Sequence, residues 1–480
     1  MLYQIARQIL NRSSEPRWPA NNRLKPTVSL VLVAALTLSL FFAASTGAVS
    51  AAATGAVAAR AAGYVPAAPP ADLSGSWEVT WIRFGQTNVD RVELEQKGDK
   101  ISGKGLGLTI EGTFKDSKLE FNLLGDDKKV VAAFTGTLQG DGLAGTMKLD
   151  KDEFNWTARR GASRPPDAPK VHNFEPKEFH RHFSATIPPA LKIFPGDTVH
   201  TETVDAGGVD KTGAHRSTGG NPLTGPFYVE GAVRGDTLVV HFNRIRLNRD
   251  WAESGNGIVP SALNPGYVVD KRPVKDFDSK WTLDKEHGVA RLAKPTDKLK
   301  DFTVPLQPML GCVGVAPGGN QAILSGDLGN YGGNMDYNQI REGTTLYFPV
   351  NQAGALLYVG DGHAAQGDGE LTGDALETSM EVEFTVDLIR GKAMGGPRAE
   401  NDEYLMAIGI ANSLPEAVQR ATTMLARWLE NDYKLNPSEV AMVLGFAIHY
   451  DIAEVVDPHV NVVAKIKKSS ISGLKKSDQQ

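Results

Sequence analysis

Residues 72–160 alternate between apolar and polar positions over short stretches. This period of two residues is that of a β-strand with one buried face, and turns such as Lys97-Gly98-Asp99 separate the stretches at the spacing of an up-and-down meander. Seven or eight such strands make a small closed barrel or sandwich. We therefore predict a small antiparallel β domain packed by its own side chains, with strands at 76–81, 91–96, 108–114, 118–123, 130–138, 143–149 and 154–158.

The pattern changes along the rest of the chain. Strand-like stretches continue from residue 194 to residue 387, and after residue 392 apolar residues recur at helical spacing. Residues 415–429 place Val418, Leu425 and Trp428 on one side of a helix, and residues 437–447 begin a second. The order predicts an α+β, β-rich protein. Its large sheet or barrel-like body carries a C-terminal helical pair and follows the small β domain.

Composition divides the chain further. Basic residues precede an apolar run at 28–44, small residues follow it, and this is the order of a secretory signal. We expect a signal segment at 1–53, a flexible lead at 54–71, the small β domain at 72–160, a Pro-rich linker at 161–176, a main domain at 177–464 and a polar tail at 465–480. The expected protein is bacterial, exported to the periplasm or beyond, and free of a stable membrane span after signal cleavage.

Charge and cysteine content exclude some classes of protein. The net charge is −5 and no basic face is evident, so we expect no nucleic-acid partner. The only cysteine is Cys312, which excludes an internal disulfide. Cys312 could act as a nucleophile, but it has no obvious neighbouring base and fits a small buried residue better.

Candidate chemistry concentrates between residues 332 and 380. Asp361 and His363 are two positions apart, so an extended backbone would point them to the same side. An imidazole with carboxylates suits zinc, and an all-oxygen subset would suit calcium. Glycine–aspartate pairs are also common turn formers, so the spacing alone leaves a metal site and ordinary turns equally open.

The sequence resembles the acetamidase/formamidase family at several ordered motifs, over roughly residues 170–465. The matching runs lie at 221–232, 311–317, 332–336, 343–350 and 360–370. The resemblance does not cover the signal segment or the small β domain. It also departs from the family pattern at Val233-Arg234, where a carboxylate is absent and only the turn is kept.

The resemblance implies hydrolysis of a small amide, formamide or acetamide, by a β-rich protein that binds a divalent metal and forms a homo-oligomer. It carries over four candidate site residues: Asp336, Asp361, His363 and Glu370. A mechanism is then a hypothesis. His363, Asp361, Asp336 and Asp205 would bind the metal, Glu370 or Asp368 would transfer the proton, and Asn334 would help to stabilise the oxyanion.

Two alternatives remain open at this point. The first is a related hydrolase that acts on a larger or secondary amide, because export and an added β domain suggest an unusual niche. The second is a secreted protein without catalytic activity that keeps the scaffold to bind a ligand or metal.

Overall fold

The computed structural model describes residues 72–161, 169–270 and 272–477. The predicted signal segment and flexible lead lie outside these residues, so the structure does not bear on them. The described residues from Leu73 onward belong to one compact unit. Within the described ranges, no helix combines the length and the apolar character that crossing a membrane requires.

The first eight strands form a closed antiparallel barrel, which confirms the predicted small β domain. Each strand pairs with the next, and β1 also pairs with β8. Trp77, Trp81 and Trp156 are almost fully buried in it. The strands are β1 (Gly75–Arg83), β2 (Gln86–Lys97), β3 (Lys100–Gly105), β4 (Leu108–Lys115), β5 (Lys118–Leu124), β6 (Val130–Gln139), β7 (Gly142–Leu149) and β8 (Asp152–Arg160).

Strand β3 was not predicted, because glycine interrupts its alternation. Its sequence is KISGKG, in which Ile101 is the one large apolar residue. Gly103 is needed for close strand pairing, since a Cβ there would lie 2.0 Å from the carbonyl oxygen of Glu93.

Two large sheets form the body. The first has eleven strands: β11 (Leu191–Ile193), β13 (Leu223–Val229), β15 (Trp251–Glu253), β16 (Lys280–Asp284), β17 (Val289–Leu292), β18 (Val304–Pro305), β19 (Met309–Val315), β21 (Leu328–Gly329), β22 (Gly332–Asn334), β24 (Leu357–His363) and β25 (Glu377–Thr378). The second has nine: β9 (Val171–Asn173), β12 (Thr198–Glu202), β14 (Thr237–Leu247), β23 (Thr345–Pro349), β26 (Met380–Ile389), β27 (Arg398–Glu400), β28 (Tyr404–Ala411), β29 (Ile448–Glu454) and β30 (Val460–Lys467). Strands β10 (His182–Ser184) and β20 (Ala322–Leu324) form a separate pair.

Side chains of both large sheets share one apolar core. Phe227 of the first sheet meets Phe384 of the second edge to face, with ring centroids 5.2 Å apart. Leu310 and Val313 from the first sheet join Leu238 and Phe384 in the same buried cluster. This burial of apolar surface is the main stabilising term of the body.

The helical pair lies where the sequence places it. The α-helices are Pro265–Asp270, Leu414–Tyr433 and Pro437–Ala447, with short 3-10 turns at Pro260–Ala262 and Lys468–Ile471. The Ser413 side chain caps the second α-helix, and Asn436 and Glu439 form a capping box on the third. Buried residues of both, including Leu425 and Leu444, pack on the second sheet.

Two expected segment boundaries differ from the structure. Strand β9 lies inside the predicted linker and pairs with β12, so part of that segment belongs to the sheet. The predicted polar tail begins inside β30, and Ile471 is buried against the C-terminal helices. Strand β9 joins the sheet by backbone pairing, since its Val171 remains exposed, whereas the end of the chain is held by the buried Ile471. Composition alone shows neither contact.

Two ion pairs join the barrel to the body, one with its arginine in the body and the other with its arginine in the barrel. Arg234 donates to Asp90 at 2.9 Å, and Arg91 donates to Asp236 at 2.8 Å. Asp90 and Asp236 are both buried. The turn at Val233-Arg234, where the sequence departs from the family pattern, therefore contacts the added domain.

Candidate functional site

Strand β24 carries two of the proposed site residues into the interior of the first sheet. All seven of its residues are buried, and it lies between β19 and β25. Oδ2 of Asp361 lies 3.4 Å from Nε2 of His363. The structure therefore brings together the two side chains whose spacing suggested a shared side.

The chain after β22 adds Asp336, and a glycine leaves room for it. Oδ1 of Asp336 lies 3.9 Å from Nε2 of His363. A Cβ built on Gly311 of β19 would lie 2.2 Å from Oδ1 of Asp336 and 2.7 Å from Oδ2 of Asp361. Any side chain at position 311 would thus occupy the space between these carboxylates.

Two glutamates complete the cluster. Glu377 of β25 lies opposite His363, with Oε1 3.1 Å from Nε2. Glu370 follows the glycine-rich turn, and ligand atoms of His363, Glu370 and Glu377 all lie within 4.8 Å of one another. Sequence reasoning missed Glu377, because the pairing of β24 with β25 brings it to the site and no local motif marks it.

Gln366 fixes the orientation of the imidazole. Its amide nitrogen donates to the backbone carbonyls of Asp336, at 2.5 Å, and Ala453, at 3.2 Å. Its Oε1 must then accept from Nδ1 of His363, 2.9 Å away. The lone pair of a neutral His363 is consequently on Nε2, which faces the carboxylates. Sequence analysis included Gln366 in a motif but gave it no role.

Asn334 holds carboxylates together instead of presenting a free donor. Its Nδ2 donates to Oδ2 of Asp336 at 2.5 Å and to Oδ2 of Asp457 at 2.8 Å. Its Oδ1 accepts from Asn221, which also donates to Asp361. Both amide hydrogens are engaged, so this arrangement does not support the oxyanion role suggested for Asn334. Asn221 and Asp457 were not identified from sequence.

Asp205 is not part of the cluster around His363. Its Oδ2 accepts from Arg249 at 2.6 Å, and its Oδ1 accepts from the backbone N–H of Val209. Arg249 is itself buried, so this ion pair engages the carboxylate that sequence reasoning offered as a ligand.

Asp368 is likewise not part of the cluster. It is exposed, and its Oδ1 accepts from Asn338 at 2.8 Å. Of the two carboxylates considered for proton transfer, the structure brings only Glu370 to His363.

Burial and neighbouring charges shift the pKa values of several members of the cluster. Burial raises the pKa of Asp336 well above its usual range, and Glu370 and Asp361 raise it further. Burial likewise raises the pKa of Glu377 to about 8. Burial alone would lower the pKa of His363, but Glu377 and Asp361 outweigh it and raise that pKa. Protons are therefore held here unless another cation replaces them.

Backbone strain coincides with the site. Asp336, Asp361 and Glu370 have φ angles of 40°, 57° and 48°. Non-glycine residues seldom adopt this left-handed region, and strain of this kind tends to gather at functional sites.

The donor set fits a divalent cation. Two groups share His363: Asp336 and Asp361 on one side, and Glu370 and Glu377 on the other. Four buried atoms have no hydrogen-bond partner among the described residues: Oδ1 of Asp336, Oδ1 of Asp361, Nε2 of His363 and Oε2 of Glu377. Nε2 has one lone pair, so it can complete only one of the two groups. One imidazole with several carboxylates suits zinc better than calcium, which favours oxygen ligands alone.

Cys312 has a structural role. It is fully buried, and its thiol donates to the carbonyl oxygen of Ser325 at 3.2 Å. Burial, with Asp361 and Asp336 nearby, raises the pKa of the thiol well above its usual value. A thiol that stays protonated is a poor nucleophile.

A cavity of about 220 Å³ opens beside the cluster. Gln366 and Glu370 both contribute to its wall. The remaining wall is largely apolar and includes Trp281, Val304, Ala365, Leu371, Ala375 and Leu376. A small molecule in this cavity would therefore reach Glu370.

The site lies within the part of the chain that matches a known protein family. Residues 326–466, which contain all five members of the cluster, match the model of the Acetamidase/Formamidase family. A formamidase from Methylophilus methylotrophus is 26% identical, with 44% of this chain and 64% of the relative covered. An acetamidase from Mycolicibacterium smegmatis is also 26% identical, with 44% and 66% covered. The chain thus spans slightly less than two thirds of these relatives.

Solved structures show the same fold for the body. A predicted acetamidase/formamidase from Thermoanaerobacter tengcongensis is 28% identical, with a TM-score of 0.54, and the match covers 64% of this chain and 98% of that one. An acetamidase from Bacillus halodurans is 28% identical, with a TM-score of 0.53, and the match covers 63% and 99%. Residues 326–466 therefore match the Acetamidase/Formamidase family, and the body has the fold of these solved structures.

Proposed function

We propose that this protein hydrolyses the C–N bond of a linear amide, releasing a carboxylate and ammonia. The observation that carries the proposal is the buried cluster of His363 with Asp336, Asp361, Glu370 and Glu377. It lies inside the stretch that matches a family with formamidases and acetamidases among its relatives.

We propose further that His363, Asp336 and Asp361 hold a divalent cation, with zinc favoured by the donor set. A bound cation of this kind supplies Lewis-acid polarisation of the amide carbonyl and activation of water at neutral pH. Gln366 keeps Nε2 of His363 free for the cation, because it accepts the hydrogen of Nδ1.

Glu370 is the proposed proton carrier. It lines the cavity and belongs to the cluster, so it can meet both water and an amide. It would take a proton from water as the C–O bond forms. It would return that proton to nitrogen as the C–N bond breaks, so that the leaving group departs as ammonia.

Ammonia release from an amide panel tests this proposal, with Glu370→Gln and the exposed neighbour Asp368→Asn as a matched pair. General acid–base catalysis contributes about 10²–10⁴-fold, so Glu370→Gln should lose at least about a hundredfold in kcat. Asp368→Asn should stay within about twofold of the parent protein. Equal losses in both variants, or none in either, would contradict the role of Glu370.

Export to the periplasm or beyond and assembly into a homo-oligomer remain predictions. Fractionation of the producing cell and light scattering of the purified protein would test them separately.

A further inference from the structure

The cavity beside Glu370 is much larger than the smallest amides require. Formamide has no carbon beyond its carbonyl and acetamide has one methyl group, so either would leave most of 220 Å³ without contacts. Benzene occupies an apolar cavity of about 150 Å³ in an engineered protein, so a phenyl or branched alkyl group fits the volume available here.

Two segments of the chain build the apolar wall. The first segment contributes Trp281 of β16 and Val304 of β18. The second segment, which carries Glu370, contributes Ala365 and Leu376. These four residues also pack with one another in a small apolar cluster. This part of the wall therefore belongs to a packed core, whereas Leu371 in the same wall is largely exposed.

Trp281 is held in place on two sides. Its indole N–H donates to Oγ of Ser254 at 3.0 Å, and its ring packs edge-on against Phe302 with centroids 6.4 Å apart. An aromatic side chain fixed in this way presents a preformed apolar surface, which favours an apolar group that docks against it.

A second cavity, of about 420 Å³, is a weaker candidate. Asp327, Tyr331 and His459 line it, and none of its lining residues is a member of the two ligand groups. The smaller cavity has Glu370 in its wall and is the better-placed site for a substrate.

We propose that the cavity beside Glu370 receives the acyl group of the substrate, so that the preferred class is primary amides with a branched aliphatic or aromatic acyl group of about five to seven carbons. This inference rests on the proposed amide hydrolysis and names its substrate class. Trp281 and Val304 are then the residues that set specificity.

The test compares formamide, acetamide, isovaleramide and benzamide with the full chain as produced. Each buried methylene is worth about fourfold in binding, so kcat/KM for isovaleramide and benzamide should exceed that for acetamide by at least about tenfold. Val304→Trp, which fills the cavity, should lower kcat/KM for the larger amides by about tenfold more than it lowers kcat/KM for acetamide.

Two further variants keep the test decisive. Val130→Trp makes the same change at an exposed position of the barrel and should alter neither rate. Trp281→Leu removes the aromatic wall and should lower benzamide turnover about fivefold, even if Val304→Trp does not fold. Circular dichroism establishes folding for each variant.

The outcomes separate this inference from the proposed function. Turnover restricted to formamide and acetamide, unaffected by Val304→Trp, would overturn the inference and leave amide hydrolysis standing. If no amide releases ammonia, benzamide binding by calorimetry decides. Binding that Val304→Trp abolishes supports the acyl site without catalysis, and absence of binding overturns the inference together with the proposed function.

Discussion

His363 donates its Nδ1 hydrogen to Oε1 of Gln366 across 2.9 Å. Because the Gln366 amide nitrogen is already engaged with two backbone carbonyls, this orientation of the pair is determined. Nε2 then meets Glu377 and Asp361 as a lone pair facing carboxylates, an arrangement that calls for a proton or a metal cation between them.

Replacing Gln366 with leucine should weaken metal binding. Partners of metal-ligating histidines typically contribute about 10–100-fold to metal affinity, and we expect a loss in that range. Competition with a chromogenic zinc chelator measures the affinity directly, without reference to activity. Gln419→Leu, on the exposed side of the helix Leu414–Tyr433, is the control. Equal affinities of the two variants would remove the positioning role of Gln366.

Gly311→Ala should disrupt the site while the fold persists. The new methyl group would overlap Oδ1 of Asp336 and crowd Oδ2 of Asp361, so these ligands must move. We expect metal content to fall below about a tenth of the parent level, in keeping with displaced ligands. Gly395→Ala has open space around its Cβ and serves as control. Full metal occupancy in Gly311→Ala, measured by elemental analysis, would show that the cluster does not hold the ion.

The metal-free protein should become less stable as pH rises from about 5 to about 8. Burial raises the pKa of Glu454 to about 8 from an ordinary 4.5, and Asp457 adds to the shift. Between those values the folded protein keeps a proton that the unfolded chain has released. The stability is therefore complete below pH 4.5 and is lost as the pH rises through 8.

Each such carboxyl contributes a slope of about 1.4 kcal/mol per pH unit to the free energy of unfolding. Glu454→Gln should remove one such slope, whereas the exposed control Glu286→Gln should leave the pH dependence unchanged. Urea unfolding across this pH range, after chelation, provides the measurement. A metal-free protein that gains stability with rising pH would contradict the raised pKa values of these carboxyl groups.

Arg234→Ala should destabilise the protein by about 2–3 kcal/mol, because it leaves the buried carboxylate of Asp90 with Trp81 as its remaining side-chain donor. Adding Asp90→Asn should recover part of the loss, since the unpaired charge is then gone. Lys148→Ala breaks an exposed ion pair and should cost at most about 1 kcal/mol. Denaturant unfolding that shows equal costs for Arg234→Ala and Lys148→Ala would mean that the contact does not fasten the barrel.

The local pattern of apolar and polar residues was sufficient to predict much of the fold. Alternation predicted seven of the eight barrel strands, and helical spacing located the C-terminal pair. Strand β3 was not predicted, because its glycines allow close strand pairing but do not contribute to the alternation of apolar and polar residues. The tail boundary was wrong because burial of Ile471 depends on a surface built elsewhere in the chain.

The site residues likewise divide into those that a local motif identifies and those that only the folded structure brings to the site. Asp361 and His363 could be identified because they lie two positions apart in one glycine-rich motif, although Asp361 has a left-handed φ of 57° where the prediction assumed an extended backbone. Glu377 could not, because the register between β24 and β25 brings it opposite His363. Asp205 was assigned as a ligand because no local feature reveals that the buried guanidinium of Arg249 engages it.

The most direct measurement is ammonia release from amides by the zinc-loaded protein, compared with its Glu370→Gln variant at equal metal content. We expect release by the parent protein and a loss of at least about a hundredfold in the variant. Absence of release from every amide by the metal-loaded parent protein, or undiminished release by the variant, would contradict it.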